Sequence, residues 1–216
     1  MTDTTTDTAH GATAAGPGTG DAQRRSWRTI DLMVAITIGV VLGVAFRGLA
    51  LLYLPLDPVF AAFKPAQGIL AGLWFLPAIL AAIIVRKPGA ALVAEMIAAT
   101  VEALLGGHWG YTTLVSGLAQ GIGAEIGFAL FAYRRFGIVP VMVAGIAAAG
   151  LEWLYEILYS YGEWSAAWKG IYLLIMAASG AVLSAVICMP LARALAATGV
   201  LSSFRIGRES AERSRA

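Results

Sequence analysis

Between residues 30 and 197 the chain alternates long apolar runs with short breaks of Pro, Gly or charged residues. A helix rises about 1.5 Å per residue and a bilayer's hydrocarbon core is about 30 Å thick, so a run of about 20 apolar residues can span it. About six such runs are read, at roughly Ile30–Leu54, Ala66–Val85, Gly89–Leu105, Tyr111–Tyr133, Ile138–Ser160 and Trp168–Ala197. Pro55 and Pro58 close the first, Pro88-Gly89 separates the second from the third, and Gly106-Gly107 follows the third. Each is a helix-stop or turn signal. Pro77 falls inside the second run and predicts a kink there. Pro190 offers an end to the sixth, with the remainder lying at the interface. The pattern predicts an all-α polytopic bundle of about six transmembrane helices.

The flanks differ in kind. Residues 1–26 are rich in Thr, Ala, Gly and Asp without apolar periodicity and predict a disordered cytoplasmic tail. They lack the basic start and short apolar core of a secretory signal. Residues 27–197 form the membrane domain, and 198–216 read as a solvated, basic cytoplasmic tail.

Charge fixes an expected orientation. Arg24, Arg25, Arg28, Arg86, Lys87, Arg134, Arg135, Arg193, Arg205, Arg208, Arg213 and Arg215, 12 of the 15 basic residues, fall on one side of the predicted spans. Positive residues favour the cytoplasm, so both termini are expected there. Trp109, Tyr111, Tyr159, Tyr161, Trp164 and Trp168 cluster where the outer interface is expected, the level that aromatic belts prefer.

Composition narrows the function. The chain is 59% hydrophobic and 13% charged, against about 25% charged in soluble domains. A net charge of +2, with basic residues scattered in pairs, gives no nucleic-acid surface. The single cysteine, Cys188, can form neither an internal disulfide nor a CxxC site. Neither a P-loop sequence nor HExxH occurs, and the two histidines, His10 and His108, fall in the tail and a loop. Ser116 and Ser179 lack a histidine base within the spans. The expectation is a non-enzyme without metal or cofactor. No internal duplication of the inverted-repeat kind is visible, which favours a subunit over a self-sufficient pump.

The candidate chemistry is the set of polar groups inside apolar runs: Arg47, Glu95, Glu102, Glu125, Glu152 and Glu156, with Gln67 and Gln120. Each ionisable group there costs about 2.5–3.5 kcal/mol on insertion scales and is a functional candidate by default. The alternation of spans puts Glu102, Glu152 and Glu156 in the outer half and Glu95 and Glu125 deeper. Carboxylates among Trp and Tyr rings suit a flat, polar or cationic heterocycle, each cation–π contact adding about 0.5–2 kcal/mol. The structural alternative is that Arg47 pairs with a glutamate to lock two helices, and that Glu125 serves packing. Ala35, Gly39 and Gly43 form a small-residue stripe on the first helix, suited to close approach within the bundle or to another membrane subunit.

The segments RKPGAALVAEMIAATVEALLGGHWG (Arg86 to Gly110) and SGLAQGIGAEIGFALFAYRRF (Ser116 to Phe136) resemble the signature region of the YkoE-like proteins. These are substrate-binding S-components of energy-coupling factor (ECF) transporters, assigned to thiamine or its hydroxymethylpyrimidine precursor. The resemblance covers roughly residues 27–195. It implies a six-helix S-component fold in a bacterial cell membrane, a transmembrane T-component and two cytoplasmic ATPases as partners, and vitamin capture at the outer face. It also implies that small residues of the first helix, here Ala35, Gly39 and Gly43, face the T-component. Within the matched region lie Glu95, Glu102, Trp109, Gln120 and Glu125. The expected ligand contacts are Glu102 and Glu156 near a cationic ring, Trp109 and Tyr159 stacking, and Gln120 and Glu152 reading an aminopyrimidine. An S-component for another vitamin, with Arg47 facing an anionic ligand, and a membrane scaffold with internally paired charges are the alternatives.

Overall fold

The computed structural model describes residues 26–107 and 109–213. The expected N-terminal tail, residues 1–25 of it, lies outside the described residues, as do His10 and His108. Every regular element among the described residues is helical. In chain order these are α1 (Thr29–Tyr53), α2 (Asp57–Ala62), α3 (Gly68–Ala71), α4 (Leu76–Val85), α5 (Ala90–Leu104), α6 (Thr112–Ala129), α7 (Ile138–Tyr159), α8 (Ala166–Leu183), α9 (Met189–Ala197) and α10 (Arg205–Arg213).

By length and composition, four stretches among the described residues can cross a membrane: Thr29–Leu56, Lys64–Val85, Ile138–Tyr159 and Ala166–Ala197. α5 has 15 residues, and α6, with 18, carries Gln120 and Glu125. The stretch containing α4 is 72% buried within the protein, against 33–39% for the other three. α4 is therefore the central rod, and the outer helices turn apolar faces outward, as a lipid solvent permits.

Two expected helix features differ. The second span does not kink at Pro77. It breaks at residues 72–75 and restarts, with Pro77 in the first turn of α4, where its missing N–H leaves no bond unmade. The restart frees amide groups in the middle of the bundle, which need acceptors. Glu95 Oε2 takes the Ala78 N–H at 3.0 Å. The sixth span does not end at Pro190 but continues from Ala166 to Ala197. A π-helical turn, Ser184–Cys188, joins α8 to α9 just where Pro190 withdraws a donor from the hydrogen-bond ladder.

Small residues set the helix spacing. A Cβ on Gly39 would lie 2.7 Å from the Ala94 carbonyl oxygen, and one on Gly43 2.7 Å from that of Ala98. Ala35 on the same stripe is fully buried. The stripe expected to receive a T-component is thus filled by α5 of the same chain. Its correction has a simple cause, since α5 offers a matching stripe in Ala94 and Ala98, and two such faces pack backbone to backbone.

The stretch after Thr198, expected to be solvated, folds back on the bundle. Leu201, Phe204 and Ile206 are buried, and α10 lies against the loop between α4 and α5 through a bidentate Arg86–Glu209 pair at 2.9 and 3.0 Å. Arg205 adds a bond to Glu209 at 2.9 Å. The Arg86 hydrogen bonds hold the Glu209 carboxyl below the ordinary glutamate range; partial burial acts against them and Arg205 with them. A depressed pKa gives stability that is present above the unfolded value and lost as pH falls through the folded one. Amide protection in residues 205–213, as exchange corrected for its intrinsic pH dependence, is therefore expected to be high at neutral pH and to be lost in acid, as pH falls below the ordinary glutamate range. Arg86→Met should lose that protection already at neutral pH.

Of the basic residues assigned to one side, Arg28, Arg86, Lys87, Arg134, Arg193, Arg205, Arg208 and Arg213 meet at one end of the bundle. Buried Asp31 accepts from Arg28 at 2.9 Å and pairs with Lys87, while Trp27 Nε1 donates to the Pro88 carbonyl at 3.0 Å. Lys64, set over the Trp168 ring at 5.7 Å, and Lys169, bonded to the Gly162 carbonyl at 2.7 Å, belong to the opposite, aromatic end.

Candidate functional site

The break in the second span positions more than a cap. It places Trp74 between α1, α5 and α6, its ring 6.0 Å from Phe46, 5.6 Å from Trp109 and 6.4 Å from Tyr53. Trp109 follows the Gly106-Gly107 turn after α5 and sets its ring edge-on to Tyr53, at 5.5 Å. Trp74, Trp109 and Tyr53 form one wall of a cavity of about 110 Å³. The opposite wall comes from α7 and α8, with Glu152, Tyr155, Glu156 and Tyr172. Tyr161, from the loop joining them, lies at the edge, stacked on Trp164 at 4.3 Å.

The acids along this cavity are not equivalent. Glu152 accepts from Ser116 Oγ at 2.6 Å. Glu156 accepts from the Tyr172 hydroxyl at 2.6 Å. Gln120 meets Ser116 Oγ at 2.7 Å and, with its amide nitrogen turned inward, reaches the Trp74 carbonyl and Glu95 Oε1 at 3.2 Å each. Glu102 is fully buried, and neither of its oxygens has a hydrogen-bond partner among the described residues, although the Trp74 side chain lies near enough to interact with it. Nor does the Gln67 amide nitrogen, whose oxygen accepts from Tyr53 at 2.9 Å. Nearly all buried polar groups in folded proteins are paired, so an orphaned carboxylate beside an open cavity calls for an explanation.

Of the expected ligand residues, the structure brings Glu102, Trp109, Gln120, Glu152 and Glu156 to this one cavity, with Gln67 beside them. Tyr159 does not join them. It is 68% exposed and stacks from outside on Tyr155, which lines the cavity one helical turn earlier. Arg47 is absent from the lining and makes no ion pair among the described residues, although its charge is felt at Glu102.

Glu95 and Glu125 do different work. Glu95 caps α4 as described, and Glu125 Oε1 takes the Ala91 and Leu92 N–H groups of α5 at 2.8 and 3.3 Å while its other oxygen accepts from the Tyr133 hydroxyl. Both sit where a negative charge is favoured, at a helix N-terminus. Glu95→Leu is expected to lower unfolding stability by about 2 kcal/mol, since it strands the Ala78 amide. Glu95→Gln, which keeps an acceptor, should lose less; midpoints of denaturation in detergent measure both.

Trp74, Tyr53 and Tyr172 were missed from the sequence, and Tyr155, which flanks the acidic stripe of Glu152 and Glu156, was not counted among the ligand contacts. The available signal was helical: Tyr155 lies three residues after Glu152, and so shares its face. Trp74 carried no such signal, because a continuous helix through Pro77 would have turned it elsewhere.

Comparison with known proteins bears on the family and the fold. A family described as "ABC-type cobalt transport system, permease component" matches residues 30–151. A candidate HMP/thiamine permease protein, YkoE of Bacillus subtilis (strain 168), is 35% identical over 192 residues, which cover 86% of this chain and 92% of that protein. A crystal structure of an S-component of an ECF transporter superimposes with a TM-score of 0.82 at 31% identity, covering 88% of this chain and 96% of the other.

Proposed function

Since the chain belongs to the YkoE-like S-components of ECF transporters, multi-pass proteins of the bacterial plasma membrane, we propose that this substrate-binding subunit captures thiamine or its hydroxymethylpyrimidine precursor in the aromatic cavity. One observation carries the reading: the Glu102 carboxylate is buried without a hydrogen-bond partner among the described residues, against a wall of indole and phenol rings. A cationic or amino-bearing heterocycle supplies the missing hydrogen bonds and charge, and its flat faces suit Trp74 and Trp109. Glu152, Ser116 and Gln120 form a row of acceptors and donors on the far side, suited to an aminopyrimidine edge. The relative's name, which mentions HMP and thiamine, supports the same class.

The orientation proposed with it puts the aromatic end outward and the basic end, with α10, in the cytoplasm. A T-component and two ATPases then supply the energy for uptake. The alternatives are less well supported. An anionic vitamin needs a cation at the cavity, and Arg47 is not in its lining. A scaffold needs its buried charges paired between helices, and among the described residues Glu102 is not.

Uptake tests the reading. Proteoliposomes holding the chain with its T-component and ATPases are expected to accumulate labelled thiamine or hydroxymethylpyrimidine only with ATP on the ATPase side. An assembled complex that hydrolyses ATP yet accumulates neither would overturn the assignment.

A further inference from the structure

A second cavity, of about 280 Å³, opens at the basic end between α4, the segment joining α6 to α7, α9 and α10. Its polar lining holds Arg86, Arg134, Arg193, Arg205 and Arg213 against one carboxylate, Glu209. The folded-back C-terminal helix creates it, since Arg205, Glu209 and Arg213 come from α10. Glu209 is consumed by Arg86 and Arg205, and Arg213 Nε donates to its backbone oxygen at 3.2 Å. Arg86 is also held over the Phe136 ring at 5.3 Å. The side chains of Arg134 and Arg193 make no ion pair or hydrogen bond among the described residues, yet both residues line this cavity. Collecting this much unneutralised charge costs free energy through mutual repulsion, which an anion relieves.

The remaining lining is apolar, with Ile83, Phe136, Met189 and Ile206. Next in sequence to the lining residue Gly137, Ile138 and Val139 are exposed at the start of α7. A phosphate-bearing group in the cavity thus has an apolar surface beside it on which acyl chains can lie. Guanidinium groups match phosphate oxygens two at a time, better than a point charge does. Basic pockets at the cytoplasmic ends of membrane helices suit anionic head groups. We propose that this cavity binds the phosphate of an anionic phospholipid and so ties α10 and the α4–α5 loop to the membrane surface. Nothing in it depends on the identity of the vitamin; the proposed orientation enters only in naming the leaflet.

Native mass spectrometry of the full chain in detergent, titrated with short-chain phosphatidylglycerol or phosphatidylcholine, tests this. Phosphatidylglycerol is expected to bind one-to-one and at least tenfold tighter than phosphatidylcholine. Arg134→Gln with Arg193→Gln should abolish the preference, and Arg134→Lys with Arg193→Lys should restore part of it. Neither arginine's side chain makes an internal bond, so the elution volume of these variants should match the parent, and the melting midpoint of the double glutamine variant should not fall below it, since it relieves repulsion. Equal binding of the two lipids, or a preference that survives the double glutamine variant, would overturn the proposal. Complete displacement by millimolar inorganic phosphate would overturn it too, in favour of a soluble anion.

Discussion

Glu102→Gln is expected to make the empty protein more resistant to unfolding while weakening ligand binding by about 10- to 100-fold. The two effects share a cause. Both Glu102 oxygens are buried without a hydrogen-bond partner among the described residues, and removing a carboxylate from water costs several kcal/mol unless hydrogen bonds or an opposite charge replace the lost hydration. The amide is cheaper to bury, so the empty bundle gains stability. A bound cation or amino group makes up the deficit only for the acid, with a charge-assisted bond of about 1.5–3 kcal/mol, or roughly one to two decades of affinity. Glu152→Gln is expected to behave differently, because Ser116 already donates to that carboxylate at 2.6 Å. A melting curve and a binding isotherm for each variant check the pair. An unchanged affinity in Glu102→Gln would show that this acid does not read the ligand.

Gly145→Val is expected to prevent folding, or to lower stability by about 3 kcal/mol or more. A Cβ at this position would fall 2.2 Å from the Gly180 carbonyl oxygen and 2.6 Å from its carbon. The reciprocal site is as tight, with a Cβ on Gly180 2.5 Å from the Gly145 oxygen. The obstacle on each side is backbone, which cannot rotate away as a side chain can. α7 and α8 carry one wall of the ligand cavity, including Glu152, Glu156 and Tyr172. Forcing them apart should therefore remove binding together with stability. Gly150→Val on the same helix, where nothing lies within 4 Å of an added Cβ, is the control expected to stay folded. Expression and gel-filtration profiles in detergent separate the two outcomes.

Much of this was legible in the residues. Apolar run length gave the helical class, and the glutamates spaced along the runs led to the cavity, because a charge in an apolar run needs a compelling local reason. The position of Tyr155 was within reach through its three-residue spacing from Glu152. The rest depended on breaks in regularity. A proline at residue 77 is compatible with a kinked or a restarted helix, and only the restart turns Trp74 into the cavity and Glu95 into its cap. The stripe of Ala35, Gly39 and Gly43 fits any smooth partner, and sequence spacing does not say whether that partner is another chain or α5. The folding of residues 198–213 rests on Leu201, Phe204 and Ile206, three apolar positions among arginines and serines, too few to mark a docked segment by period alone.

The most direct test of the central claim is equilibrium titration of the solubilised chain, without its partners, with thiamine and with hydroxymethylpyrimidine, in parallel with Glu102→Gln. The account predicts saturable one-to-one binding of at least one of the two, weakened by a decade or more in the variant. Absence of binding to both, in protein whose melting transition shows it to be folded, would contradict it.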